Sequence, residues 1–481
     1  MNPLKKLLGQ TAIYGLSSIV GRLLNYLLVP LYTYVFADPS DYGVVSELYA
    51  YVAFLVVFLT FGMETTFFRY IKEKTDKETV FRNTFLTVLV INILFFLIGV
   101  YFLQEIADWL LYPKHSEYIF LLLIIVCVDA CSSIPLARLR SEEKAKQFAG
   151  IQVASILVNI GLNLLFMLTM FNKEHPEQGV LYIFIANLIS SIVKPALLYK
   201  YFLQLRFKFD VALGKEMLMY ALPLVVAGFA GIVNETLDRA MLKKVLFENG
   251  HTIEEATAQV GIYSAVYKLA MLVSILLQAY RYAAEPFFFN QAKNQDKSKL
   301  YSKLMNYFVA TVCLVFLVVS LDIDIFKHFI RNESYWVGLG VVPILLMANV
   351  FLGIYYNQSI WYKLSGQTKF GAFISIGGAI LTITINWIFI PTYGYWACAW
   401  ATLIVYTAQM IASYILGQKY YPIKYNLRKF FFYLILTLAL FFICKGLDIE
   451  SLSVRLIVHN LCIAAFVWFA WKLEKPTKAL N

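Results

Sequence analysis

The residues of this chain that could do chemistry are ionisable side chains set inside apolar runs long enough to cross a bilayer. The richest such run is residues 217–242, MLMYALPLVVAGFAGIVNETLDRAML. Pro223, Gly228 and Gly231 punctuate its apolar part, and Asn234, Glu235, Asp238 and Arg239 follow before the run ends. An Arg or Asp at the centre of a membrane helix costs roughly 2.5–3.5 kcal/mol, so such groups face protein or a water-filled cavity. Glu235 precedes Arg239 by four residues, the favourable order for a helical ion pair, and Asn234 and Asp238 repeat the spacing on a second face. Arg239 with either acid reads as a cavity site for an anion or as a fixed pair.

Other runs carry similar groups. In the first, Thr11, Gly15, Ser18, Arg22, Asn25 and Thr33 fall on one helical stripe of small and polar residues. Arg22 and Asn25 there either face a cavity and meet an anion, or Arg22 pairs with Glu47 or Asp129. Lys194, just before Pro195, either lines a cavity or snorkels to the surface. Lys268 sits deeper in its run, where lining a cavity is the natural role. Arg281 and Glu285, four apart, pair with each other or form a cytoplasmic gate. The acids Glu47, Glu64, Asp129, Glu235, Asp238 and Glu285 suit proton or sodium coupling, or each balances a buried cation. Asn159, Asn163 and Asn187 read as hydrogen bonds between helices. Tyr51, Phe54, Phe58 and Phe61 form an aromatic stripe suited to packing, to a sugar or to a lipid tail.

The elements that must position these groups are membrane helices. The chain is 60% hydrophobic and 15% charged over 481 residues, against about 45–50% and 25% for soluble domains. Fourteen apolar spans follow one another, from about 8–36 to about 453–471, with short connections and no inserted soluble domain. The first span has no cleavage site after a short apolar core, so a first spanning helix is expected rather than a signal peptide. The six cysteines fall in or beside apolar runs and the five histidines form no ligand pattern, so no metal or other cofactor is expected. No phosphate-cradling Gly-rich loop, no Ser/His/Asp order and no pair of acids in a large exported loop points to an enzyme.

The net charge of +11 is a topology signal. Lys and Arg gather in alternate connections, which places both termini in the cytoplasm and requires an even number of spans. Nucleic-acid binding would want one clustered basic face instead. An internal repeat then divides the chain. Asp41-Tyr42-Gly43 opens span two and Gln259-Val260-Gly261 opens span eight. Arg140 and Lys146 after span four match Lys363 and Lys369 after span ten. Asn163 and Phe166 match Asn386 and Phe389, and Gly179 matches Gly394. The expected fold is all-α: two parallel-repeat six-helix bundles, residues 1–208 and 209–420, plus helices 13 and 14 in 421–481. Such bundles hold substrate between them and work by alternating access.

Fourteen spans, the Tyr42-Gly43 opening of span two and the Asp238-Arg239 pair late in span seven resemble the bacterial polysaccharide flippases, the O-antigen and exopolysaccharide translocases. Lys369, Asn386 and Gly394 resemble that family's second half. The superfamily also includes multidrug extruders and the lipid II flippase. The resemblance implies a carrier of undecaprenyl-diphosphate-linked oligosaccharide in the bacterial inner membrane, serving O-antigen, capsule or exopolysaccharide synthesis. It implies that Arg22, Lys194, Arg239 and Lys268 hold the diphosphate and sugar, with H+ or Na+, membrane lipid, a polysaccharide polymerase and a chain-length protein as partners. The lipid II flippase's arginine-rich first span is missing, since only Arg22 is present. A cation-coupled drug extruder would favour a cavity dominated by acids. A membrane glycosyltransferase or polymerase would want the large outer loop this chain lacks.

Overall fold

In the computed structural model, residues 19–475 are described, apart from 22, 75, 204–207, 292–296 and 448. The described residues form helices and connections, with no strand among them. Thirteen helices are long and apolar enough to span a membrane, and a shorter apolar helix, Ile19–Val35, precedes them. This is a multi-pass membrane protein. Of the fourteen expected spans, the first is thus seen only in its second half, because residues 1–18 lie outside the described part. The helices are α1 (Ile19–Val35), α2 (Pro39–Glu73), α3 (Lys77–Tyr101), α4 (Ser116–Ser141), α5 (Ala145–Met170), α6 (Pro176–Leu197) and α7 (Val211–Glu248). They continue as α8 (Ile253–Gln291), α9 (Ser298–Leu321), α10 (Glu333–Leu364), α11 (Lys369–Tyr393), α12 (Tyr395–Tyr420), α13 (Leu427–Gly446) and α14 (Leu452–Glu474).

Polar residues in the connections start these helices. The Asp38 side chain accepts from the Ser40 amide ahead of α2, with Pro39 in the first turn. Asp76 accepts from the Glu78 and Thr79 amides, Asp210 from Leu213 and Asn426 from Lys429. Each satisfies an amide that the first turn leaves unpaired. Helix α2 breaks in its lower half, where Phe61 and Gly62 both take positive φ. Of the aromatic stripe expected on this span, only Phe61 falls in the break. Tyr51 packs on Trp109, Phe54 packs on Phe229, and Phe58 is exposed.

The helices form two units, Met1–Gly261 and Ile262–Asn481. In the first, α4 packs on α3 and α6, α6 packs on α5, and α7 runs along α2. In the second, α10 packs on α9 and α12, α12 packs on α11, and α13 and α14 both lie against α9. The α3–α4, α4–α6 and α5–α6 pairings recur six helices later.

Within the first unit, the Tyr42-Gly43 and Val260-Gly261 landmarks meet. A Cβ on Gly43 would stand 2.0 Å from the Thr257 carbonyl oxygen, and a Cβ on Gly261 would stand 1.9 Å from that of Pro39. The opening turns of α2 and α8 therefore cross backbone against backbone, which only a residue without a side chain permits. Alanine at either glycine should cost about 1–3 kcal/mol through overpacking. Gly231→Ala should be neutral by contrast, since its added Cβ would meet nothing within 4 Å. Thermal melting of the purified protein checks this, and equal melting of Gly43→Ala and Gly231→Ala would contradict the close crossing.

Candidate functional site

Two cation–acid pairs in the first unit differ in one property that separates their roles. Glu47, one turn below Gly43 on α2, faces Lys243 on α7 at 3.0 Å, and the side chains are 2% and 1% exposed. The Lys243 ammonium also donates to the Leu110 carbonyl at 2.8 Å and lies 3.4 Å from the centre of the Tyr112 ring. The Tyr112 hydroxyl donates to the same Glu47 oxygen at 2.5 Å. Burial and the Glu47 charge push the Tyr112 hydroxyl well above its ordinary pKa, so it keeps the proton it donates. The cluster ties α2, α7 and the α3–α4 connection together, and its burial closes it to a ligand.

Asp129 on α4 and Lys194 on α6 make the second pair, at 2.8 Å. Here the side chains are 28% and 21% exposed. This pair is part-exposed, whereas the other is sealed. It lies in a longer polar row. Tyr49 is within electrostatic reach of Asp129, and Tyr32 of Tyr42 and Tyr49. The Tyr32 and Tyr42 rings stand 6.1 Å apart. Arg239 on α7 is also within electrostatic reach of Tyr42. The Tyr32 hydroxyl donates to Asn163 at 2.9 Å, Asn163 donates to the Asn159 carbonyl at 2.8 Å, and Asn159 reaches Asn25 at 3.4 Å. Tyr32, Tyr42 and Asn163 of this row are buried, whereas Asp129 and Lys194 are part-exposed. The part-exposed pair offers a cation for an anionic group.

Most of the residues singled out from the sequence have definite places. Arg239 approaches the Asp238 carboxylate at 3.6 Å and donates to the backbone carbonyl of Glu235 at 3.2 Å, while Glu235 as a residue is exposed. The acid beside it in sequence is therefore its partner, not the carboxylate one turn earlier. Lys194 is paired with Asp129. The two acids offered as partners for Arg22 are engaged by lysines, Glu47 by Lys243 and Asp129 by Lys194, and Arg22 itself lies outside the described residues. Glu64 pairs with Arg140. Lys268 and Arg281 belong to the second unit. Lys268 is half-buried on α8, and the Arg281 guanidinium lies 4.4 Å from the centre of the Tyr356 ring on α10. The Glu285 side chain lies outside the described residues. Around Arg281, α8 and α10 are joined by Ser274 to Asn349 at 2.9 Å and by Asn357 to Tyr280 at 2.7 Å. Among the described residues no three His, Cys, Asp or Glu side chains converge as a metal site requires.

The residue missed from sequence is Lys243. It closes the seventh apolar run and reads there as a membrane-boundary residue. The missing signal was depth: Glu47 lies eight residues into α2 from its start, and Lys243 lies five residues from the end of α7, so at 1.5 Å per residue the two stand at similar levels.

Residues 7–292 match the family described as polysaccharide biosynthesis protein. The chain belongs to that family. The matched region takes in the interior row and the sealed pair. An uncharacterized membrane protein of Haemophilus influenzae is 24% identical over 387 residues, covering 77% of this chain and 87% of its own. Among solved structures, the lipid II flippase MurJ in an inward closed conformation is similar in fold, with a TM-score of 0.68, 13% identity, and coverage of 96% of this chain and 99% of that one. An inward-facing multidrug MATE transporter of the MOP superfamily gives a TM-score of 0.63 at 14% identity, covering 84% and 94%. This member of the polysaccharide biosynthesis family has the flippase-like transporter fold of that superfamily.

Removing one partner of a buried ion pair strands the other and costs about 3–5 kcal/mol, whereas replacing both by apolar groups of similar size is often neutral. Lys243→Met is therefore expected to destabilise the protein strongly, and the double variant Glu47→Leu with Lys243→Met to recover much of the loss. Melting curves of the single and double variants in one detergent measure the difference. Melting of Lys243→Met at the wild-type temperature would refute the structural role.

Proposed function

We propose that the protein is a flippase that carries undecaprenyl-diphosphate-linked oligosaccharide from the cytoplasmic to the outer leaflet of a bacterial inner membrane, for O-antigen, capsule or exopolysaccharide synthesis. Family membership supports the class of cargo. The observation that carries the site is that the Asp129–Lys194 pair stays accessible while Glu47–Lys243 is sealed. A diphosphate in a low-dielectric cavity needs cations that hydrogen-bond it. In this reading Lys194 and Arg239 supply them, and Arg22, Asn25 and Lys268 are the further candidates from the sequence. An arriving diphosphate replaces Asp129 as the partner of Lys194. Asp129 and Asp238 are then left to take up a proton or sodium ion, which links release of the cargo to ion entry. Tyrosine and asparagine along the row meet sugar hydroxyls.

In this reading the working halves are residues 1–208 and 209–420, with 421–481 appended, and one half rocks against the other. Arg281 and Glu285 gate the cytoplasmic side, Glu47 acts in fastening rather than in binding, and Glu235 is a further candidate for ion coupling. Both termini lie in the cytoplasm, as the basic connections favour. A polymerase and a chain-length protein would receive the flipped lipid.

The test uses purified protein in liposomes containing a fluorescent undecaprenyl-diphosphate oligosaccharide, read as its appearance in the outer leaflet. Loss of a hydrogen bond to a charged group is worth about 1.5–3 kcal/mol, so Lys194→Ala and Arg239→Ala should each weaken substrate use by about 10- to 100-fold. Flipping by the wild type and equally by both folded variants would leave the function standing and remove the site. Absence of flipping across several glycans, together with organic-cation efflux that depends on Asp129 or Asp238, would replace the flippase reading with a drug extruder.

A further inference from the structure

The second unit holds a pocket of about 150 Å³ between α9, α10, α12 and the start of α13. That is room for a group about the size of benzene. No charged residue lines it. Its wall carries a ring of neutral polar side chains, Asn306, Gln358, Tyr414, Tyr425 and Asn426. Ile411 and Phe431 line it too and are 48% and 51% exposed, so the pocket opens sideways onto the hydrocarbon. Gln358 is the anomaly. It is 6% exposed, and its Oε1 atom has no hydrogen-bond partner among the described residues. A buried acceptor left unpaired costs about 1–3 kcal/mol, so a donor supplied from outside the chain would be bound with that much to gain.

The rim of the pocket is basic. Arg428 follows the lining residue Leu427, Lys424 precedes Tyr425, and Lys303 lies one helical turn from Asn306. All three are exposed. The neighbouring Lys429 is spent, at 2.9 Å from Glu474 and 2.8 Å from the Leu473 carbonyl. The Lys424 amide donates to Ser298 at 3.0 Å, which holds this connection against the first turn of α9. The site therefore combines an apolar slot and neutral donors and acceptors with exposed cations next to its lining residues.

We propose that this pocket binds an anionic glycerophospholipid whose head group carries a hydroxyl, of the phosphatidylglycerol class. An acyl chain lies along Ile411 and Phe431. The ester oxygens accept from the asparagine amides and tyrosine hydroxyls. The phosphate meets Arg428 and Lys424, and a head-group hydroxyl donates to Gln358. The charge order favours this occupant over a zwitterionic lipid, and the neutral wall suits glycerol esters. The proposal stands on the pocket alone and does not depend on the transport reading.

The full chain in a non-ionic detergent, titrated with lipids of matched chains and read by native mass spectrometry, tests it. Phosphatidylglycerol should bind more tightly than phosphatidylcholine, and each cation removed should cost about fivefold. Lys424→Ala with Arg428→Ala, both exposed and safe for folding, should erase most of the preference. Phosphatidylmethanol, which has the charge without the hydroxyl, should bind more weakly than phosphatidylglycerol to the wild type but not to Gln358→Leu. Equal binding of phosphatidylglycerol and phosphatidylcholine, or a preference unchanged in the double variant, would overturn the proposal. Displacement of phosphatidylglycerol by polyprenyl phosphate with the same dependence on Arg428 and Gln358 would assign the pocket to the carrier lipid and overturn it as well.

Discussion

The first unit depends on one sealed ion pair. Lys243 and Glu47 are withdrawn from both water and lipid, and their charges are tolerable there because each is paired and hydrogen-bonded. The Leu110 carbonyl, the Tyr112 ring and the Tyr112 hydroxyl complete the set. One turn away, Gly43 rests on the Thr257 carbonyl and Gly261 on that of Pro39. Ion pair and glycine crossing fix the same end of α2, one by charge and the other by close backbone approach. Because α2 also carries Tyr42 and Tyr49, fixing its end fixes two of the three tyrosines of the interior row.

The contrast between the two lysines of this unit follows from what surrounds them rather than from the residue type. Lys243 spends its donors on protein atoms in a dry site, so its charge serves cohesion. Lys194 has one acid at 2.8 Å and an open side, so its charge remains exchangeable. A transporter needs both kinds: a fastening that survives the conformational cycle, and a cation whose partner can be traded for a ligand's anion. The asparagine chain from Tyr32 to Asn25 adds neutral groups that can turn donor or acceptor toward a hydroxyl.

The second unit repeats the helix pairings but not the side chains. Asn163 is held by Tyr32 and Asn159, whereas its repeat counterpart Asn386 is fully buried with both amide atoms unpaired among the described residues. Where the first unit places charges on its interior row, the second joins α8 to α10 through Ser274, Asn349, Tyr280 and Asn357, with Arg281 stacked on Tyr356. The repeat therefore preserves backbone architecture and lets the polar chemistry diverge, as packing constrains the small and apolar positions more tightly than the polar ones.

Composition and apolar run length alone settled that the chain is a membrane bundle, because hydrocarbon leaves a spanning segment no option but to satisfy its backbone as helix. The ordered landmarks, Tyr42-Gly43 with Val260-Gly261 among them, also exposed the repeat and the family without any coordinates. Partner choice was a different matter. From the sequence Arg239 could face Glu235 or Asp238, Arg22 could claim Glu47 or Asp129, and Lys243 looked like a boundary residue. The Glu47–Lys243 and Asp129–Lys194 pairs are settled by where helices distant in the chain come to lie: α7 beside α2, and α6 beside α4. Apolar periodicity records which residues enter the membrane. The depth and facing of one helix against another come from packing, and that is what turned a set of buried charges into one sealed pair and one part-exposed pair.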